Sequence, residues 1–349
     1  MISMCGTIKE RELSTEAITA HSDPQTAGAG DRSPGGRPIE PIDAAISSIQ
    51  PGGGVCMRCE LAWGYVRRWL LKTLRPGYVA RMRATRRGDH NACPHEVLDP
   101  RDVKFFRNQG GYYWLPEDDP FAWRDRLPFV RAGLAELILL GGGFFLMSGI
   151  FAVVFWPLAI VTAALGLEVV WFFRNPRRQP PPEPGLIVAP ADGRVVAVEE
   201  IHDEFIGGAA WRIDIFLSVF NVHVNRVPCD VRVLGLRYRR GKFLNALRAE
   251  ASRENEQMEL RLEEASAPYR PLIVRQIVGA IARRIVCWVA PGAVLRRGEA
   301  LGMIKLGSRT ELVLAKAPGL EILAGVGQKV RAGVSVLARY PAASTETGA

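Results

Sequence analysis

The sequence predicts an α+β protein: a mainly antiparallel β domain, preceded by a hydrophobic membrane hairpin and an irregular N-terminal extension. Three observations predict it. Residues 132–173 contain only two charges, Glu136 and Glu168. Beyond residue 185, short apolar runs of strand length are punctuated by Gly, Pro, Asp and Asn. Residues 20–54 are rich in Gly, Pro, Ser and Ala with little to bury. A chain of 349 residues with 48% hydrophobic content suggests about two domains and has ample core material. Its formal net charge of +9 points to an anionic partner: nucleic acid, an acidic membrane surface or a phosphate-bearing substrate. The six cysteines are too few and too scattered for a disulfide scaffold, so a reducing compartment is expected. The N-terminus lacks the apolar core and cleavage site of a secretory signal peptide.

In chain order, residues 1–55 are expected to be disordered or a linker, and 56–130 form a basic extension of unknown role. Within it, residues 61–87 carry eight Arg or Lys and no Asp or Glu, interleaved with Trp63, Tyr65, Trp69, Leu70 and Leu74. That pattern suits an interfacial helix on anionic lipid, broken at Pro76; a nucleic-acid contact or a solvated basic face would leave a similar run. Cys56-x-x-Cys59, followed by Cys93 and His95, has the ligand types of a structural zinc site at irregular spacing, with free thiols the alternative. Residues 131–173 are too long for one span, because 42 residues of helix extend about 63 Å against roughly 30 Å of hydrocarbon. Two helices are expected, with breaks available at Gly141-Gly142-Gly143 and at Pro157. Arg124, Arg126 and Arg131 before the run and Arg174, Arg177 and Arg178 after it place both ends on the cytoplasmic face. A Pro-rich exit, "RNPRRQPPPEPG", leads into the β domain, residues 174–342, and a tail of 343–349. "LIVAPADGRVVAVEEI" reads as two strands about an Asp-Gly turn, and residues 245–265 read as helical.

The stretch "GMIKLGSRTELVL" interrupts two strand-like runs with Gly307-Ser308-Arg309. A tight turn explains this; so does a serine placed to attack the carbonyl of its own preceding residue. His223, in "FNVHVNRVP", is the one histidine within a strand-like run of this domain, whereas His202 lies in a polar turn. A lone histidine there is commonly structural, but its unperturbed pKa near 6.5 also lets it exchange protons at neutral pH. Asp192 in "PADG" is first of all a turn aspartate.

"FFRNPRR", "APADGRVV", "IFLSVFNVHVNRVP", "GKFLNA", "SRENE", "RQIVGAIARRIVCW" and "GMIKLGSR" occur in the order seen in phosphatidylserine decarboxylases of the short bacterial type, which the chain resembles over residues 172–340. The resemblance implies a proenzyme that cleaves itself between Gly307 and Ser308. The products are a β chain of residues 1–307 and an associated α chain of 308–349 whose Ser308 becomes a pyruvoyl group. It further implies a Schiff base between that group and phosphatidylserine, with loss of carbon dioxide to give phosphatidylethanolamine. Ser308, His223 and Asp192 are the implied catalytic residues, with Asp192 orienting the base, and Arg226 is available to pair with the substrate carboxylate or phosphate. Arg226 and Arg309 stand where the longer branch of the family has a second histidine and a Thr or Ser, so that branch's triad does not carry over whole. No resident metal and no nucleic acid are expected; the partners are anionic membrane lipid and, in addition, a second copy of the chain. Two other readings are a decarboxylase of another serine phospholipid, such as archaetidylserine, and a membrane-tethered biotinyl- or lipoyl-like carrier, although no lysine occupies the "PADG" turn.

Overall fold

The structure is a computed structural model that describes residues 36–51, 55–88, 93, 95–103, 112–248, 250–280, 284–305 and 307–341. The basic extension begins with α1 (Val55–Leu74) and α2 (Pro76–Thr85), separated at Arg75 because Pro76 can start a helix but cannot continue one. A single turn, α3 (Pro100–Val103), buries Asp102 beside Asp99. Three arginines turn inward to neutralise these acids: Arg67 reaches Asp99 at 2.9 Å, Arg68 reaches Asp102 at 3.0 Å, and Arg101 pairs with Asp99. Part of the basic run is therefore internal, while Trp63, Tyr65 and Trp69 stay exposed. Of the zinc-type residues, Cys59 is exposed and His95 is buried beside Asp102; the Cys56 side chain lies outside the described residues. Among the described residues no cluster of three or more His, Cys, Asp or Glu is arranged to hold a metal.

The hydrophobic run forms two antiparallel helical arms. The first is continuous from Arg131 to Val154, 24 residues containing an 18-residue window of mean hydropathy 2.3, long and apolar enough to cross a membrane. It includes α4 (Leu134–Glu136), a π turn at Leu137–Gly141, and α5 (Gly142–Val154). The second arm is α6 (Trp156–Phe172). The break falls at Phe155, just before Pro157, and not at the three glycines. Gly141 faces Val169, and Gly166 faces the Phe145 ring, so small residues let the arms approach. At the base the arms are stitched by backbone bonds from Val130 N to Phe173 O (2.9 Å) and from Asn175 N to Pro128 O (2.8 Å).

The β domain contains β1 (Leu186–Val188), β2 (Gly193–Asp203), β3 (Gly208–Leu217), β4 (Val224–Arg226), β5 (Val231–Arg239), β6 (Gln257–Glu264), β7 (Pro271–Val278), β8 (Arg284–Cys287), β9 (Val294–Leu295), β10 (Ala300–Lys305), β11 (Ser308–Ala315), β12 (Glu321–Ile322), β13 (Lys329–Val330) and β14 (Val336–Arg339). An eight-stranded sheet runs β13-β2-β3-β11-β7-β6-β5-β9, and two three-stranded sheets run β4-β10-β8 and β1-β14-β12, with antiparallel pairing throughout. Their inner faces enclose one large core built around Ile213, Ile215, Leu236, Leu260, Val274 and Leu312.

Three expectations are corrected. Residues 257–264 form a strand, because Met258, Leu260 and Leu262 alternate into the core between β5 and β7; only the short α7 (Ala251–Glu254) is helical. β1 and β2 do not form a hairpin about Asp192: β1 pairs with β14 and β2 with β3 and β13, which also removes the hairpin that a carrier barrel would need. Residues 36–51, inside the expected linker, lie against the β domain. Glu40 N donates to Leu234 O at 2.8 Å and its carboxylate pairs with Arg237 and Arg261, Ile46 is 3% exposed in the core, and Cys287 N donates to Ile49 O at 3.0 Å. Composition hid this strap because its anchors are a few spaced isoleucines and acids. Ile46→Ala should destabilise the β domain by about 2–4 kcal/mol in denaturant unfolding of the detergent-solubilised protein, whereas a passive tether would give less than about 0.5 kcal/mol.

Candidate active site

β11 lies at the centre of the large sheet, and its first residue, Ser308, is opposite both Leu217 of β3 and Val278 of β7. Ser308 is fully buried and its Oγ has no hydrogen-bond partner among the described residues. An orphaned buried hydroxyl costs free energy, so its persistence points to a function. Gly307 precedes it at φ +50°, the left-handed region in which a side chain would be strained. The Gly307 carbonyl presses on Gly279: a Cβ built there would lie 2.1 Å from Gly307 O. Gly279 follows the last residue of β7, so its lack of a side chain lets the Gly307 carbonyl seat against the sheet.

The chain leaves β3 at Leu217, turns through Ser218–Asn221 and returns as β4. The turn is closed by Asn221 Oδ1, which accepts from Ser218 N at 2.9 Å and from Ser218 Oγ at 2.8 Å. His223 stands just before β4, and its carbonyl accepts from Ile304 N (3.2 Å) at the end of β10 that leads to Gly307. Both loops thus come from neighbouring strand ends. Thr310 lies two residues beyond Ser308 and so on the same face of β11, and Asn225, in β4, lies two residues beyond His223. Asn225 Nδ2 donates to Thr310 Oγ1 at 3.0 Å, and Gln276 Nε2 donates to Asn225 Oδ1 at 2.8 Å, joining the two faces.

The His223 ring is fully buried; Nδ1 lies 2.9 Å from Asn221 O and Nε2 has no partner among the described residues. With Nδ1–H donating to that carbonyl, Nε2 presents a free lone pair. Burial, with a smaller contribution from the Arg174 charge and against the opposing Asn221 hydrogen bond, pushes the pKa down to about 4, so the ring is neutral at pH 7. The Phe172 ring, from the end of α6, packs on it with centroids 4.4 Å apart.

Asp192 is not the partner of His223. Its carboxylate accepts from Arg178 Nη2 at 2.8 and 3.1 Å and from Ala332 N at 2.7 Å. This charged donor, one guanidinium nitrogen shared by both oxygens, is stronger than a neutral imidazole donor and draws the acid into the hairpin exit. Arg226 is also committed elsewhere: its guanidinium donates to Gly298 O (2.8 Å), Asn175 Oδ1 (2.7 Å) and Pro176 O (3.1 Å). Arg309 pairs with buried Asp214 and donates to Arg248 O at 3.3 Å. Burial and the Glu311 charge raise the Asp214 pKa to about 6 despite the two arginines near it. Lys305, three residues before Ser308, pairs with Glu136 at the start of the hairpin, as does Arg284 at 3.1 Å.

Of the residues singled out from sequence, Ser308, Gly307 and His223 sit at this end of the sheets, whereas Asp192 and Arg226 hold the exit linker. Gly279, Asn225, Thr310, Gln276 and Phe172 were missed. A glycine inside the strand-like "RQIVGA" is a sequence signal for close backbone approach; the other four show none, because their roles arise from strand pairing across separate sheets.

Comparison with known proteins agrees with this arrangement. A family model described as phosphatidylserine decarboxylase matches residues 165–338, from within α6 to the end of the β domain. A Rhodopirellula baltica protein named phosphatidylserine decarboxylase proenzyme is 53% identical over 242 residues, covering 68% of this chain and 99% of its own. Proteins of the same name from Carboxydothermus hydrogenoformans and Syntrophus aciditrophicus are 42% identical over 217 residues and 41% identical over 224, covering 62% and 64% of this chain and 98% and 99% of theirs. The chain belongs to the phosphatidylserine decarboxylase family.

Proposed function

We propose that the chain cuts itself between Gly307 and Ser308 and then decarboxylates phosphatidylserine to phosphatidylethanolamine. The observation that carries this is the buried, unpartnered Ser308 Oγ beside a left-handed Gly307 whose carbonyl is seated on Gly279. His223 Nε2 takes the Ser308 hydroxyl proton as Oγ attacks the Gly307 carbonyl carbon. The Gly307–Ser308 C–N bond breaks, the nitrogen takes a proton, and Gly307 becomes an ester on Oγ. Loss of the Ser308 Cα proton then expels the Gly307 carboxylate. The remaining dehydroalanine tautomerises and is hydrolysed, releasing ammonia and leaving a ketone at the new N-terminus.

The residues present fit a pyruvoyl group at position 308, since the reacting hydroxyl lacks competing partners and a neutral base faces the same side of the sheets. Once formed, that group supplies an electrophilic carbonyl which, joined to the substrate amine, accepts the electron pair of the bond to carbon dioxide. His223 Nε2, its lone pair kept free because Nδ1–H donates to the Asn221 carbonyl, takes up a proton transiently and passes it to the carbon that has lost the carboxylate. Arg309, paired with Asp214, anchors the residue after the new N-terminus. Arg226 and the Arg178–Asp192 pair hold the hairpin exit against the domain instead of contacting substrate.

The two chains stay together because β11 is paired on both sides, to β3 and β7, and β14 lies between β1 and β12. The hairpin lies in a membrane with its arginine-flanked base at the cytoplasmic surface. At 1.5 Å per residue α6 is about 26 Å long, short of roughly 30 Å of hydrocarbon. Its apolar tip keeps its backbone satisfied, with Phe155 N donating to Phe151 O at 2.7 Å and Leu158 N to Phe155 O at 3.0 Å. The hairpin therefore dips into the bilayer and returns.

Ser308→Ala should leave a single full-length chain that releases no carbon dioxide from phosphatidylserine, judged by denaturing electrophoresis and trapped radioactive carbon dioxide; a cut or active variant refutes the assignment. Gly279→Ala should slow self-cleavage at least about tenfold by displacing the Gly307 carbonyl, read as persistence of proenzyme on a time course. The pH dependence follows from His223. Its folded pKa of about 4 is below the reference value of 6.5, so folding releases a proton between these values. Its contribution to stability is complete above pH 6.5 and declines as pH falls toward 4. Self-cleavage of newly made proenzyme should show no acid limb near pH 6.5 and should fail only near pH 4; a limb at 6.5 would refute the buried-base reading.

A further inference from the structure

Beside the base of the hairpin is a groove of about 740 Å³ between α6 and the Ser218–Asn221 turn. Its walls are mostly apolar: Ala164, Leu167, Val170 and Trp171 from α6, Phe129 from the strand entering the hairpin, and Phe220 from the turn. Phe220 is 64% exposed and Trp171 is 52% exposed, at the level where aromatic side chains meet the bilayer interface. Arg174 lines the same groove. Its guanidinium is stacked 3.9 Å over the Trp171 ring and donates to the Trp171 and Phe220 carbonyls at 2.6 and 2.9 Å. No carboxylate lies within ion-pair distance of it among the described residues; partial burial lowers its pKa, Asp192 and Glu168 raise it and Arg178 lowers it. A partly buried cation without a direct ion-pair partner, facing an apolar groove, is an anion site on an apolar floor. Glu168 also lines the wall, one turn inside the helix end and so nearer the hairpin tip than Arg174.

On both sides the groove adjoins elements that carry or pack on His223. Phe220 is three residues from His223, and Trp171 precedes the Phe172 ring that packs on His223. Trp171 Nε1 donates to Phe220 O at 3.0 Å, so the turn that carries His223 and the membrane helix form one wall. A diacyl phospholipid has the matching order of parts: acyl chains for the apolar α6 wall, a phosphate for Arg174, and a headgroup reaching beyond it.

We propose that this groove is the substrate site, with Arg174 binding the phosphate of phosphatidylserine and Phe220, Leu167 and Trp171 flanking its acyl chains, so that substrate enters sideways from the bilayer. This rests on the decarboxylase reading above. The headgroup amine is then directed past the Phe220 turn toward residue 308, while the diacylglycerol part remains at the hairpin.

The test uses the full, self-processed protein in detergent, with phosphatidylserine at varied mole fraction in mixed micelles. Electrophoresis of each variant reports self-cleavage, so that activity is expressed per processed molecule. Arg174→Gln should raise KM about tenfold, proportionally more than it lowers kcat, with partial recovery in Arg174→Lys; Phe220→Ala should raise KM about threefold. Independently, phosphatidylserine carrying a diazirine on one acyl chain should label the wild-type peptide spanning residues 164–174 or that containing Phe220, and excess unlabelled phosphatidylserine should suppress it. Unchanged KM in both variants, or label confined to the outer face of α5, overturns the groove assignment while leaving the reaction intact. If the variants do not fold, the wild-type labelling pattern decides. Wild-type protein that releases no carbon dioxide from phosphatidylserine overturns the decarboxylase reading, and the groove assignment with it.

Discussion

The side-chain amide of Asn225 joins the two sheets on which the site depends. It donates to Thr310 of the eight-stranded sheet and accepts from Gln276 of the neighbouring strand, although Asn225 itself belongs to the three-stranded sheet. All three side chains are fully buried, where a broken amide bond leaves unsatisfied polar groups costing about 1–3 kcal/mol each. Satisfied, the bridge fixes the register of β4 against β11. His223 and Ser308 each stand two residues earlier in the chain, so the register of two otherwise separate sheets constrains how the proposed base sits relative to the proposed nucleophile.

A second constraint comes from the hairpin. The one acidic residue on its first arm, Glu136, is neutralised by Lys305 and Arg284 of the β domain, and its last helical residue, Phe172, packs on His223. The apolar arms and the catalytic end of the sheets therefore share side chains at their junction. Removing the hairpin as a mere anchor would strip one face from the buried imidazole and leave Lys305 buried without its carboxylate. The apolar hairpin and the residues proposed to react are thus parts of one packed unit, which suits a phospholipid substrate.

The polar groups divide the work by burial. Ser308 Oγ and His223 Nε2 have no partner among the described residues, whereas Asp192, Arg226 and Arg309 bond to chain segments around them. An orphaned hydroxyl and a neutral imidazole are unfavourable in a core, and the surrounding ion pairs and eight-stranded pairing are what keep them there. Asp192 is a case in point: an acid three residues after Ala189 in a turn looked ready to orient a base, but a nearby guanidinium and a backbone N–H compete more strongly for its oxygens.

Much was legible in one dimension. The apolar run of 132–173, its arginine flanks and its division at Phe155-Trp156-Pro157 follow from length, charge and proline chemistry, which act locally. The antiparallel β character followed from short runs between turn residues, and Ser308 and His223 followed from motifs that keep their spacing. What the chain alone could not reveal depended on partners distant in sequence. The strand at 257–264 is decided by β5 and β7 on either side, the strap at 36–51 by the surface it meets, and the separation of β1 from β2 by competing edges. The need for glycine at 279, the tautomer of His223 and the true partners of Asp192 and Arg226 belong to the same class. Local propensity and hydrophobic pattern are properties of neighbours along the chain; hydrogen-bond partners, desolvation and close backbone approach exist only once the sheets have packed.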